Sequence, residues 1–337
     1  MSPAASDVGG SRRGRPGVPE EPGLPGLVAV HAHPDDETLA TGALLATWSA
    51  SGAPVTVVTC TRGERGEVIG PELGHLAGDG PALAAHRERE LAAALDALGV
   101  PDHVWLDALP DAVGAARYED SGMVWVTPGR AGAAPDSGAS AFARADVETA
   151  ARRLAALLRE RRPGVVVTYE PGGGYGHPDH VQAHRVTMRA VELAAEPRAD
   201  LARAPHTVQA VLWAAVDSAA RARAFEELVA LVGGVEPDRG LRLPTPDRAA
   251  PTAAVAPEQV DLRLDVLPVL DRVVGALRAH ATQVQGVRVW PHEPRADASL
   301  GRLALSDGVL QPLLRHEAYR VARGSAAEVS WPAGMAG

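Results

Sequence analysis

Leu27-Val28-Ala29-Val30-His31-Ala32-His33-Pro34-Asp35-Asp36-Glu37 decides how this chain is read. Its first part, Leu27–His31, is a short apolar run of the kind that forms a strand buried on both faces. The run leads directly into histidine, proline and three consecutive carboxylates. A helix is expected from about Asp36 to Ser51, because Leu39, Ala43, Leu44 and Trp48 recur at helical spacing and Gly52 stops it.

The same alternation continues outward. Val55–Thr59 reads as a second buried strand, residues 60–80 as a Gly-rich loop, and Ala82–Leu98 as an amphipathic helix closed by Gly99. His103–Leu106 is a weaker strand, and 107–144 is irregular. Val147–Glu160 is helical until Pro163-Gly164, Val165–Thr168 is a fourth strand, and Glu170–Pro178 is a Gly-rich loop. A helix from about Asp179 to Ala195 and a strand at Val208–Val216 follow. Strands alternating with helices predict an α/β fold, a Rossmann-like, doubly wound and mostly parallel sheet over residues 26–216. Past Asp217 the alternation fades. Helices near Arg221–Val232 and Val266–His280, a Pro-rich stretch at 244–257 and a segment at Glu317–Ala322 predict a smaller C-terminal α+β portion over 217–330, expected to complete a substrate pocket. Residues 1–25, with Arg12, Arg13 and Arg15 among Gly and Pro, read as a disordered tail.

Composition narrows the chemistry. The chain has 337 residues, 46% of them hydrophobic, enough for a sizeable core in one large domain or two ordinary ones. No apolar window of about 18 residues is present, so no membrane span is expected. One cysteine, Cys60, excludes a disulfide framework and a Cys-rich zinc site. Met1–Gly26 has no apolar signal-like core, so a reducing cytoplasm is the expected compartment. All 33 basic residues are arginine, which excludes a Schiff-base lysine and a P-loop lysine. A net charge of -9 argues against nonspecific nucleic-acid binding. With 12 histidines, any metal would sit among imidazoles and carboxylates.

A second cluster, Gly174-Tyr175-Gly176-His177-Pro178-Asp179-His180, follows the fourth strand. In the doubly wound order 3-2-1-4-5-6, strands one and four are neighbours at the switch point, where ligands bind beyond the strand ends. Both clusters then share one crevice. His33, Asp36 and His180 make a plausible set of two imidazoles and one carboxylate with a position left for water. A metal there acidifies that water, and Asp35 beside it can take the proton. His177 can act as an acid or stabilise an oxyanion, with Asp179 orienting it. Plainer readings compete. An Asp pair at a helix start is usually a cap, and spacing alone does not choose between His31 and His33. His184, four residues after His180, can form a helical pair with it. The other histidines read as surface or satisfied polar groups, and Cys60 as a small buried hydrophobe. The glycines at 172–176 do not form a dinucleotide fingerprint.

At His33-Pro34-Asp35-Asp36-Glu37 and His177-Pro178-Asp179-His180 the chain resembles the LmbE-like (PIG-L) family of metal-dependent sugar N-deacetylases. Val58–Gly70, Asp120–Met123, Val166–Tyr169 and Ala279–Val284 are similar to it too, so the likeness spans about residues 27–325. It implies His33, Asp36 and His180 as ligands of one Zn²⁺ per subunit, with Fe²⁺ also suited, and Asp35 as general base. It implies Tyr175 and His177 as polarising groups, Asp179 as support for His177, and Arg87 and Asp120 as contacts to the substrate. The implied partner is a small acetamido sugar, hydrolysed to amine and acetate, with no nucleic-acid or membrane partner. An amidase branch of the family carries a lysine shortly after its first motif and a proline before its second. This chain has no lysine, and Gly176 precedes His177, which favours the deacetylase branch. The stretch 107–117 and the N-terminal tail are departures from the family pattern.

Overall fold

The computed structural model describes residues 24–110, 117–127, 129–233, 240–245, 250–291 and 297–336. The expected tail lies outside these apart from its last two residues, as do 111–116 of the departing stretch, part of the Pro-rich stretch and His292.

The strands are β1 Leu27–His31, β2 Val55–Thr59, β3 Asp102–Trp105, β4 Met123–Thr127, β5 Arg130–Ala133, β6 Val165–Tyr169, β7 Ala210–Asp217, β8 Ala254–Val255, β9 Leu262–Asp265, β10 Gln285–Val289, β11 Ser299–Ala304, β12 Leu310–Leu314, β13 His316–Gly324 and β14 Met335–Ala336. The helices are α1 Asp36–Ala50, α2 Gly80–Leu98, α3 Val147–Arg161, α4 Gly173–Gly176, α5 Pro178–Ala195, α6 Ser218–Val232 and α7 Leu270–Ala279.

The main sheet runs β14-β9-β13-β7-β6-β1-β2-β3, with β8 added to the end of β7. From β7 to β3 every pairing is parallel. The expected doubly wound order is therefore present, and the strand of the first motif lies beside the strand of the second, Leu27 opposite Val165 and Ala29 opposite Val167. Every residue of β1, β2 and β6 is buried, as continuous apolar runs between two helical layers require. Trp48, Leu91, Leu98 and Leu277 pack on one face with α1, α2 and α7, and Leu154, Leu158, Val186 and Ala190 pack on the other with α3 and α5.

The sequence pattern did not show how the C-terminal portion attaches. β13 and β9 extend the main sheet antiparallel from β7, and β10-β11-β12 form a small sheet of their own. The stretch expected to be irregular holds a hairpin, β4-β5. Val124, Trp125 and Val126 of that hairpin are exposed, so no inside-outside alternation marks it. The Gly-rich loop after β6 contains the single turn α4, broken by Gly174 at φ 76°.

Candidate active site

Both motifs hang from the carboxyl ends of the adjacent strands β1 and β6. Asp35 occupies the residue before α1 with φ 107° and ψ -34°, and its carboxylate makes no cap hydrogen bond. The plain helix-cap role is thus not what Asp35 does, and its carboxylate is left for the crevice. Asp36 turns inward. Its Oδ2 accepts the His33 backbone N–H at 2.9 Å and stands 3.2 Å from His33 Nδ1. Its Oδ1 lies 3.3 Å from His180 Nε2. Pro178 opens α5, where its missing N–H costs nothing. His177 caps that helix by accepting the Asp179 backbone N–H on Nδ1 at 3.2 Å. The turn before it needs glycine: Gly176 has φ 93°, and a Cβ there would sit 2.8 Å from the Ala131 carbonyl oxygen on β5.

The donor chemistry of His33, Asp36 and His180, two imidazoles and a carboxylate, suits a metal ion. His180 Nδ1 is 3.1 Å from the Gly173 carbonyl, which takes its proton. That leaves the lone pair on Nε2, and this buried atom makes no hydrogen bond among the described residues. A ligating histidine tied through its other nitrogen to a backbone carbonyl is the usual second-layer arrangement. The Asp36 carboxylate lies between the two imidazoles, Oδ2 toward His33 at 3.2 Å and Oδ1 toward His180 at 3.3 Å. The electrostatics agree. Burial alone would lower the His33 pKa, but the carboxylates of Asp120, Asp179 and Asp36 outweigh it and raise it well above its ordinary value. Burial would raise Asp36, yet His180 and His33 hold it well below the carboxylate range. Negative charge thus converges where a cation would sit. Among the described residues, two sets bring their ligand atoms within 4.8 Å of one another, His33 with His177 and His180, and His33 with Asp120, His177 and Asp179; Asp36 is in neither. In the second set the carboxylates are already engaged: Asp179 with the Ser121 N–H and hydroxyl, Asp120 with the Arg65 and Gly122 N–H groups.

The remaining expected residues separate by position. Asp35 is pushed up to about 6 by burial, against the pull of Arg87 and with a further push from Asp36. His177 is held well below its ordinary pKa by burial and by His33 and His180, so it is neutral near pH 7, and Nδ1 as acceptor places its proton on Nε2. Tyr175 lies edge-on to His180, ring centroids 5.1 Å apart, and burial drives its pKa well above 10. Asp179 sends its carboxylate to His33 Nε2 at 3.2 Å and meets His177 through its backbone N–H. Asp120 Oδ1 stands 3.7 Å from His33 Nε2. Arg87 is buried, with its guanidinium on the carbonyls of Gly63 and Pro34. His31 stays in the strand, 3.0 Å from the Thr41 hydroxyl, and burial lowers it to about 4. His184 turns away from His180, with Nδ1 on the Tyr169 carbonyl at 2.9 Å. Cys60 is buried.

Sequence reasoning gave no role to Tyr169 and Ser121. Tyr169 stacks on His180 at 4.2 Å and accepts the Ala32 N–H on its hydroxyl, and Ser121 holds Asp179. Tyr169 ends the fourth strand at the switch point, a position that by itself does not separate it from core. A cavity of about 350 Å³ adjoins the site. Its walls include Asp36, Tyr175 and His180 on one side and Val273, Leu303 and Leu313 of the C-terminal portion on the other.

The model of the GlcNAc-PI de-N-acetylase family, PIG-L, matches residues 28–191, a span that contains both motifs. The 1D-myo-inositol 2-acetamido-2-deoxy-alpha-D-glucopyranoside deacetylase of Kineococcus radiotolerans is 43% identical over 313 residues, 89% of this chain and 78% of that protein. The protein of the same name from Streptomyces griseus is 43% identical over 299 residues, 88% of this chain and 83% of that one. The chain belongs to the PIG-L family. Among solved structures, GalB, the 4-carboxy-2-hydroxymuconate hydratase of Pseudomonas putida KT2440, matches with a TM-score of 0.50 at 16% identity, over 91% of this chain and 100% of that one. That likeness shows a shared fold. The PIG-L fold carries more than one reaction, so the chemistry of this member must come from its site.

Proposed function

We propose that this PIG-L member hydrolyses the acetamido group of N-acetylglucosaminyl-inositol to glucosaminyl-inositol and acetate, in mycothiol biosynthesis. The observation that carries the reading is the convergence of His33, Asp36 and His180 with Asp35 and His177 in one crevice. The relatives named for that substrate support it. The substrate is a small molecule in the cytoplasm, and the net charge of -9 speaks against a nucleic-acid partner.

His33, Asp36 and His180 would hold one zinc ion per chain, and ferrous iron suits the same donors. When bound, the metal polarises the amide carbonyl and acidifies a water beside it. Asp35, with its pKa near 6, is ionised at neutral pH yet basic enough to take that water's proton as the oxygen bonds to the amide carbon. His177 donates from Nε2 to the carbonyl oxygen as that atom gains charge, and the Tyr175 hydroxyl, kept protonated by its raised pKa, is a second donor. Asp35 then returns the proton to the nitrogen as the C–N bond breaks. The Asp179 backbone N–H fixes the tautomer of His177, and its carboxylate orients His33. Asp120 is placed to meet a sugar hydroxyl, and the C-terminal portion supplies the far wall of the pocket.

The test is amine release by metal-loaded protein from N-acetylglucosaminyl-inositol, from a mycothiol S-conjugate and from other N-acetylglucosamine conjugates, side by side. The inositol substrate is expected to be preferred. Preference for the S-conjugate would make the chain an amidase, and preference for another conjugate would reassign the substrate. Asp35→Ala is expected to lower kcat by roughly 10²- to 10⁴-fold with the metal retained. Unchanged turnover would remove Asp35 from the mechanism.

A further inference from the structure

The carboxylate nearest the reaction sits on a backbone that resists holding it. Asp35 has φ 107°, in a region that non-glycine residues rarely adopt. Such conformations persist where the surroundings over-determine them. Here the surroundings act on one peptide group, the bond between Pro34 and Asp35. Its N–H donates to Glu37 Oε2 at 2.9 Å. Its C=O accepts from Arg87 Nη2. Both holders are anchored in turn. Glu37 Oε1 accepts from the Thr38 hydroxyl and from His280 Nε2, the latter at 2.7 Å. Arg87 donates at 2.8 Å to the Gly63 carbonyl, and its Nη2 lies 3.4 Å from Asp35 Oδ1. Glu37 and His280 have no exposed surface, and Arg87 is 2% exposed. Arg87 Nε and His280 Nδ1 are buried and have no hydrogen-bond partner among the described residues.

We propose that Glu37 and Arg87 grip the Pro34–Asp35 peptide from its two sides, with His280 locking Glu37, and that this clamp holds the Asp35 carboxylate where it takes the proton. The three are positioning residues. Rotation of Asp35 toward an ordinary φ would swing this peptide and break both hydrogen bonds together. Arg87 accordingly serves Asp35. His280, near the far end of the chain, gives the C-terminal portion a hand in aligning the base. The inference rests on Asp35 being that base.

A double-mutant cycle tests it, with kcat, KM, bound zinc and melting temperature measured for each variant. Glu37→Ala is expected to lower kcat by about 10- to 100-fold, as small misplacements of a reacting group do, with KM and zinc content unchanged. Glu37→Gln is expected to recover most of the loss, because its amide oxygen can still accept the Asp35 N–H. In the Asp35→Ala background, Glu37→Ala is expected to cost nothing further. If Glu37→Ala fails to fold or loses zinc, His280→Ala serves in its place, with the same expected fall and the same silence without Asp35. Additive losses in the double variant, or unchanged kcat in the single ones, would overturn the clamp. Full activity of Asp35→Ala alone would instead overturn the base assignment on which the clamp depends.

Discussion

His31 and His33 are two residues apart at the end of one strand, and nothing in their spacing says which meets the metal. Position on the fold favours His33. His31 is still within β1 and spends Nε2 on Thr41, whereas His33 lies beyond the strand with both ring nitrogens among carboxylates. The motif residues were legible because they are contiguous and because two such clusters at one switch point are hard to explain as caps. Tyr169 was not legible, because a tyrosine ending an apolar strand looks like core. Its hydroxyl meets the Ala32 N–H and Asp36, and its ring covers His180. Tyr169→Phe is therefore expected to weaken zinc binding about 10- to 100-fold, the range for outer partners of metal ligands. Competition with a chelator of known affinity measures this, and an unchanged zinc affinity would show that the hydroxyl has no such role.

Helix α1 carries a defect with a purpose. Thr41 leaves the helical region at φ -144°, and the N–H groups of Ala43 and Leu44 donate instead to Glu317 on β13, at 2.6 and 2.9 Å. The carboxylate thus caps a helix interrupted in its middle. Burial pushes Glu317 from its ordinary 4.5 up to about 7. A carboxyl with a raised folded-state pKa stabilises the fold fully below the unfolded value and loses that contribution as pH rises through the folded one. The melting temperature should carry a component that falls between pH 4.5 and about 7, and Glu317→Gln should flatten it. Glu317→Ala should cost about 1–3 kcal/mol by stranding the two N–H groups, measured by denaturant unfolding. At the turn before α5, Gly176→Ala would drive a Cβ to 2.8 Å from Ala131 and force φ 93° on alanine. Turnover should fall as His177 shifts, while a metal held as proposed, by His33, Asp36 and His180, should stay bound. β1, β2 and β6 could be read because burial on both sides makes each a short, mostly apolar run. β4, β10 and β12 are only partly buried along their length, so neither a run nor a clean alternation marks them.

Across the whole molecule, the sheet does not stop where the alternation of strands and helices fades. β13 pairs along β7, β9 pairs with β13, and α7 packs beside α1 and α2. Contacts of such long range leave no local trace, which is why the C-terminal portion was readable only as something smaller and mixed. A chain ended after Asp217 would lose the partner of β7, the Glu317 cap and the His280 anchor together. An uncovered apolar strand edge invites association. The truncated chain should elute as aggregates on gel filtration and lack a cooperative melt. A monomer with a sharp transition would show that residues up to 217 are self-sufficient.

The neighbouring placement of β1 and β6 also sets when the metal can enter. His33 and Asp179 are separated by 146 positions in the chain, and His180 follows directly. The donors meet only after the intervening crossovers have closed a long loop, an entropic cost met by sheet pairing rather than by the ion. Metal capture is thus expected to be a late event on an already folded chain, with the ion then acting as a rivet between two distant segments. Refolding rates should be indifferent to zinc, whereas the rate of unfolding should drop when it is present.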